Sequence, residues 1–176
     1  MRRRQLLGVA LLIPLEGLAQ TCGVITPRQT EGPFFKTDTP RRISLIEGRP
    51  AHRLVLEGQV LSPQCRPVPN ALLDFWHADE EGAYDNKGYR YRGHQYTDAQ
   101  GRYRLETIVS AEYPGRTRHI HVKVQAPNQA VLTTQLYFPD DPRNQSDSIY
   151  SPELLMNVRD SDDGKVGMFN FVLNVT

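Results

Sequence analysis

Short runs with an apolar residue at every second position, each closed off by turn residues, dominate this chain, and no long amphipathic helical pattern competes with them. Side chains alternate between the two faces of a strand, so such runs read as strands with one face toward a core. The run "HRLVLEGQVL" presents Leu54, Leu56 and, past a glycine, Val60, and "SPQCRPVPN" ends it. "ALLDFWHA" is a short apolar run, "TDAQGRYRLETI" turns at Asp98 to Gly101 into Tyr103, Leu105 and Thr107, and "RHIHVKV" and "VLTTQLYF" follow. The terminal "GMFNFVLNV" sets Phe169, Phe171, Leu173 and Val175 on one side. Six or seven short strands with regular turns predict an all-β fold, an antiparallel β-sandwich. "SPELLMNVR" is the one segment expected to hold a short helix, and the Pro-, Gly- and Thr-rich "TPRQTEGPFFKTDTPRR" reads as an extended N-terminal arm over the domain. "RDSDDGKVG" has the spaced aspartates of a calcium loop, but Phe171 stands where the bidentate Glu belongs, so an Asp-Gly turn is expected there.

The first nineteen residues are of another kind. Arg2, Arg3 and Arg4 precede an apolar run from Leu6 to Leu15 and a Gly-Leu-Ala end, which predicts a secretory signal over 1–19 and a single domain over 20–176. "RRQLL" has the twin-arginine form, a route for proteins exported already folded, so a periplasmic or secreted location is expected. Without that segment 18 basic and 19 acidic residues remain, a net charge of about −1 that gives no reason to expect nucleic acid or a membrane as partner. About 157 residues suffice for one core that buries roughly 70% of the unfolded surface. An exported chain meets an oxidising compartment, so Cys22 and Cys65, the only cysteines, are disulfide candidates. A lipid anchor on Cys22 is disfavoured because Thr21 occupies a position that wants Gly, Ala or Ser, and no membrane anchor is expected.

His119 and His121 lie two apart in "RHIHVKV", about 6.6 Å along one face of a strand, where two imidazoles can converge on one metal. Lys123 continues the same side, so a polar, solvated face explains the pair equally well, and the spacing alone specifies no metal. His52, His77 and His94 stand in apolar or loop contexts that suit structural histidines. Two tyrosines sit in loops beside glycine and proline, Tyr84 in "EGAYDN" and Tyr113 in "EYPGR", although a tyrosine ordinarily buries its ring and finds its hydroxyl a partner.

Taken together, "LEGQVLSPQCRPVPNALLDFWHADEEGAY", "YPGRTRHIHVKV" and "LTTQLYF" resemble the intradiol ring-cleavage dioxygenases, the family of catechol 1,2-dioxygenase and protocatechuate 3,4-dioxygenase. The first segment carries Gly58, Leu73-Asp74-Phe75 and Gly82-x-Tyr84 of the family signature and departs at Cys65, where that pattern has Gly or Ser. The resemblance implies Tyr84, Tyr113, His119 and His121 as ligands of a non-haem Fe(III). Phenolates are hard anions that favour ferric iron, and a trivalent cation holds a phenol deprotonated at neutral pH. It further implies that a catechol binds as a dianion in place of the Tyr113 phenolate. The ring then opens between its two hydroxyl-bearing carbons, and both atoms of O2 end in a muconate-type diacid. Arg116, three residues before the first histidine, would face the ring and stabilise carbanion character. Gln135 of "TTQ" would orient a ligand or a substrate oxygen, and Arg118 would point away. Gly32, Pro33 and Phe34 of "TEGPFF", with Trp76, are candidate pocket walls, and core packing explains Trp76 as well.

Fold alone leaves a second class open, a non-catalytic transthyretin-like binding module. Such a module has no reason to assemble two tyrosines, two histidines, Arg116 and Gln135. The spacings from Tyr84 to Tyr113 and on to His119 are shorter than in the cytoplasmic members, so trimmed loops are expected over the pocket. The helical dimerisation segment of catechol 1,2-dioxygenases is not found in the sequence, so the resemblance does not carry over that dimer, and a homo-oligomer is left open.

Overall fold

The computed structural model describes residues 22–48 and 50–175, so the predicted signal over 1–19 lies outside the described residues. Nine strands run in order: β1 (Arg53–Leu61), β2 (Leu72–Trp76), β3 (Arg92–Tyr96), β4 (Arg102–Ile108), β5 (His119–Gln125), β6 (Leu132–Tyr137), β7 (Asn157–Ser161), β8 (Gly164–Met168) and β9 (Phe171–Val172). One sheet has the order β4-β1-β8-β7 with β9 also on β1, and the other has the order β3-β2-β5-β6. The second sheet is antiparallel throughout, whereas β1 runs parallel to β8 and β9, which makes the first sheet mixed. The two sheets close on Leu54, Leu56, Tyr103, Leu105 and Phe171 from one side and Leu73, Phe75, Ile120, Val122, Val124 and Leu136 from the other, all buried. These are the inward positions of the alternating runs, and burying each large apolar side chain contributes about 1.5–3 kcal/mol.

Where the structure departs from the pattern, local chemistry explains it. "GMFNFVLNV" is not one strand: the chain leaves β8 at Phe169, whose N–H donates to Glu57, and Asn170 Oδ1 accepts from the Gln59 N–H before β9 resumes on β1. Gly58 permits this, since a Cβ there would stand 1.8 Å from the Phe169 carbonyl oxygen. β3 is a strand without apolar alternation, and β7 is an exposed edge, so neither announces itself in the sequence. The aspartate-rich "RDSDDGKVG" is the β7–β8 hairpin. "SPELLMNVR" holds a three-residue 3-10 turn (Pro152–Leu154), and a second such turn spans Pro142–Gln145; no α-helix occurs among the described residues.

The arm is what places the site. Cys22 is bonded to Cys65, in the turn after β1, with Cα atoms 5.2 Å apart. From there the chain follows the β6 edge, Gln29 N–H donating to Thr133 and Thr134 Oγ1 to Pro27, and then crosses the outer face of the second sheet. Glu31 pairs with Lys123, Phe35 packs on Trp76, and Thr39 donates to Asp74. Both faces of β6 are therefore buried, and β5 is buried except at Lys123 and Gln125.

Candidate metal centre

Register lines the site up. Across β3, β2, β5 and β6, Arg92, Trp76, His121 and Gln135 pair in one row, and His119 pairs with Tyr137 in the next. Partners in register share a face, so these side chains stand together on the outer face that the arm covers. His119 and His121 are 4% and 3% exposed, which excludes the solvated-strand reading of this pair.

The tyrosines are brought over that row by two loops that hold each other. Asp79 organises the first loop, its carboxylate accepting from the N–H of Glu81 and Ala83, and its carbonyl accepts from Ala111 N–H of the second. Gly82 makes the approach possible: its φ is +81°, and a Cβ would lie 2.2 Å from the Glu112 carbonyl oxygen. In the second loop Tyr113-Pro114-Gly115-Arg116 closes on a 2.9 Å bond from Arg116 N–H to Tyr113 O, with Gly115 at φ +81°. Pro then Gly at the two central positions is the sequence of a type II turn. It sets Tyr113 and Arg116 side by side. The Tyr84 and Tyr113 rings meet edge to face at 5.8 Å.

Three donor atoms converge. His119 Nε2 lies 3.1 Å from His121 Nε2 and 3.3 Å from Tyr84 Oη. Two donors bound at about 2.1 Å to one metal and at a right angle to each other stand about 3.0 Å apart, so these separations suit neighbouring ligands. His119 Nδ1 donates to Thr117 O at 2.6 Å, which leaves the Nε2 lone pair facing inward. His121 stacks on Trp76 at 4.8 Å, its Nδ1 is buried without a partner, and the Gly32 backbone lies against its other side. Burial pushes both imidazoles toward the neutral, ligating form, His119 to about 4 and His121 well below the usual range. Burial also pushes the Tyr84 phenol up, against a smaller downward pull from Arg116 and Arg92. An adjacent high-valent cation reverses that preference. No group of three or more His, Cys, Asp or Glu that could hold a metal occurs among the described residues, and the oxygen beside His119 Nε2 is that of the Tyr84 phenol. Two phenols with two neutral imidazoles are a hard donor set that fits ferric iron.

Arg116 is anchored twice. Its Nε donates to Asp147 Oδ2 at 2.8 Å and its Nη2 to Gln135 Oε1 at 2.7 Å. Gln135 Nε2 donates to Thr30 O of the arm, and Tyr137 Oη lies within hydrogen-bond distance of Gln135 Oε1. The Gln135 amide therefore reaches Arg116, Tyr137 and the arm. Arg118 donates to Asp141 Oδ2 at 2.7 Å, apart from this network.

Of the expected pocket walls, Phe34 stacks on Tyr84 at 4.3 Å and meets Tyr113 edge-on, whereas Pro33 is exposed. Trp76 is 1% exposed and belongs to the row beneath the arm. Three contributors went unread in the sequence: Asp147, Tyr137 and Arg92. Arg92 is 1% exposed and donates to Phe34 O and Asp85 O, clamping the arm to the Tyr84 loop. No periodicity marks them, because each acts across the fold. His77 is structural, bonded to Ala78 O and Thr107 Oγ1, and His94 lies against Thr39.

A family model described as dioxygenase matches residues 30–175. The chain is 29% identical over 156 residues to the catechol 1,2-dioxygenase of Acinetobacter baylyi, an alignment covering 72% of this chain and 50% of that protein. It thus spans about half the length of this relative. Among solved structures, the dioxygenase domain of a dioxygenase carbohydrate-binding protein fusion from the cellulolytic bacterium Streptomyces sp. SirexAA-E superposes with a TM-score of 0.85 at 54% identity, covering 87% of this chain and 100% of that one. The 3-chlorocatechol 1,2-dioxygenase of Rhodococcus opacus 1CP superposes with a TM-score of 0.78 at 27% identity, over 86% of this chain and 73% of that one.

Proposed function

The chain belongs to the intradiol ring-cleavage dioxygenase family, and we propose that it holds Fe(III) on Tyr84, Tyr113, His119 and His121 and cleaves a catechol-type ring between its hydroxyl-bearing carbons with O2. The observation that carries this reading is that His121 Nε2 and Tyr84 Oη both lie within 3.3 Å of His119 Nε2, on a face where both histidines are buried. A ferric ion there supplies Lewis acidity that draws electron density from a bound catecholate and opens its ring to attack on dioxygen.

The remaining work falls to the chain. His119 and His121, neutral at working pH, bind without a proton to lose. Tyr113, in a half-buried loop, would hold the metal and could accept a catechol proton at its Oη, and Phe34 and the arm keep bulk water from the ring. Arg116, held by Asp147 and Gln135, presents its charge to the ring and stabilises the carbanion character that develops there. Gln135 fixes Arg116 through its Oε1. The product is a muconate-type diacid.

The substrate we favour is a catechol met outside the cytoplasm, such as a plant-derived phenol. Three things support this: the export signal read in residues 1–19, the Cys22–Cys65 bond, and the cellulolytic source of the 54% identical domain. Fractionation of the producing cells should place the protein in the periplasm or medium. Equal turnover of cytoplasmic ring acids, with none of extracellular phenolics, contradicts the substrate assignment. The reaction itself is tested with 18O2: a diacid carrying two labelled oxygens is expected, and a product with one label or none excludes intradiol dioxygenation.

A further inference from the structure

Asp147 lies in the loop after the Pro142–Gln145 turn, and its side chain is 1% exposed. Its Oδ2 accepts from Arg116 Nε at 2.8 Å and from Thr117 N–H at 3.0 Å, and its Oδ1 accepts from Ile149 N–H. The carboxylate is thus pinned by backbone donors from two segments before it touches the arginine. Burial alone raises a carboxyl pKa, yet the Arg116 bond and these N–H groups together hold it below the usual range. It is an anion at any pH where the protein works.

A guanidinium is planar and offers five N–H donors in a fixed fork. Arg116 is engaged at Nε by Asp147 and at Nη2 by Gln135, so its plane is held at two points, and the Tyr137 hydroxyl stands beside the same guanidinium. Arg116 also closes the turn that begins at Tyr113, its N–H donating to Tyr113 O.

We propose that Asp147 is the positioning residue for Arg116: it sets the plane in which the guanidinium meets the reacting ring. This rests on the functional reading above, in which Arg116 faces the substrate. The neighbouring Asp141 supplies a built-in control. It holds Arg118 through a bond of 2.7 Å, its side chain is 0% exposed, and it comes from the same loop, but it does not touch Arg116. A role that is only structural would make the two aspartates equivalent.

The test uses the iron-loaded full chain. Asp147→Asn should keep the visible absorption of the bound metal and lose about 10- to 100-fold in kcat on catechol, the effect of misplacing a reacting group by an ångström. Asp141→Asn should lower thermal stability with kcat within about twofold of the parent, since it touches no group that acts on substrate. The double variant Asp147→Asn/Arg116→Ala should be no slower than Arg116→Ala alone, because the aspartate acts through the arginine. Crystal structures should show Arg116 swung off Gln135 in Asp147→Asn. Asp147→Glu, which keeps the charge, should recover part of the rate and serves if the asparagine variant does not fold. Multiplying losses in the double variant, equal effects at Asp141 and Asp147, or an unmoved Arg116 would each overturn the proposal. If the parent turns over no catechol, the functional reading fails, and the Arg116 position in the two crystal structures still decides whether Asp147 sets it.

Discussion

At the scale of single residues, Tyr84 carries the largest electrostatic demand in the site. Burial disfavours its ionised form, so only a bound cation makes it a phenolate. Tyr84→Phe should therefore remove most of the visible colour and weaken iron binding by more than about 100-fold, beyond the usual effect of losing a group that merely supports a ligand. Iron titration and the absorption spectrum check this. Arg116→Ala should leave iron and colour in place and lower kcat about 100- to 1,000-fold, as the loss of a charge aimed at a developing anion does; an unchanged kcat would remove Arg116 from the mechanism. Behind the site, His77 is fully buried and neutral, and burial holds its pKa down at about 4. The unfolded chain binds that proton near pH 6.5, so the stability it contributes is complete above about 6.5 and is lost as pH falls toward 4. Urea midpoints of the metal-free protein should fall across that window, and His77→Gln should take about 3 kcal/mol out of the fall.

At the scale of elements, the site is a row on one sheet with two loops folded over it. Gly82 is where the loops touch. Gly82→Ala meets both a left-handed φ and the Glu112 carbonyl, and should destabilise the fold by more than about 1 kcal/mol while lowering iron stoichiometry; thermal melts and metal analysis of the purified variant measure the two together. The alternating strands were legible because each has a dry face and a periodic pattern follows from that. β3 was not: Arg92 joins the row and His94 lies against Thr39 of the arm, with Gly93 between them. The four proposed ligands are residue types joined by the family resemblance, and the turn "YPGR" encodes its own geometry. What the strand pattern could not convey is whether His119 and His121 face water. That depends on an arm with no period, crossing from residues ninety positions earlier. The Gln135 contact with Arg116 was hidden for the same reason.

At the scale of the whole molecule, the arm, its disulfide and the sheet act as one unit. The Cys22–Cys65 bond closes a loop of 43 residues that contains the whole arm segment over the site. By chain entropy such a closure contributes about 4 kcal/mol. A Cys22→Ser/Cys65→Ser variant should lose up to that amount in denaturant unfolding, and with it some of the iron, because Thr30, Gly32 and Phe34 all rest against the site. The arrangement roofs the site with a strap and two loops, and the disulfide is in keeping with the export proposed above.

The central claim is that two tyrosines and two histidines of this sandwich hold ferric iron, and the visible spectrum of the purified, iron-supplied protein tests it most directly. Tyrosinate-to-ferric charge transfer should make the protein red to purple, with the colour lost in Tyr84→Phe and changed when catechol is added without oxygen. A colourless protein that holds zinc, or no metal, would contradict the account.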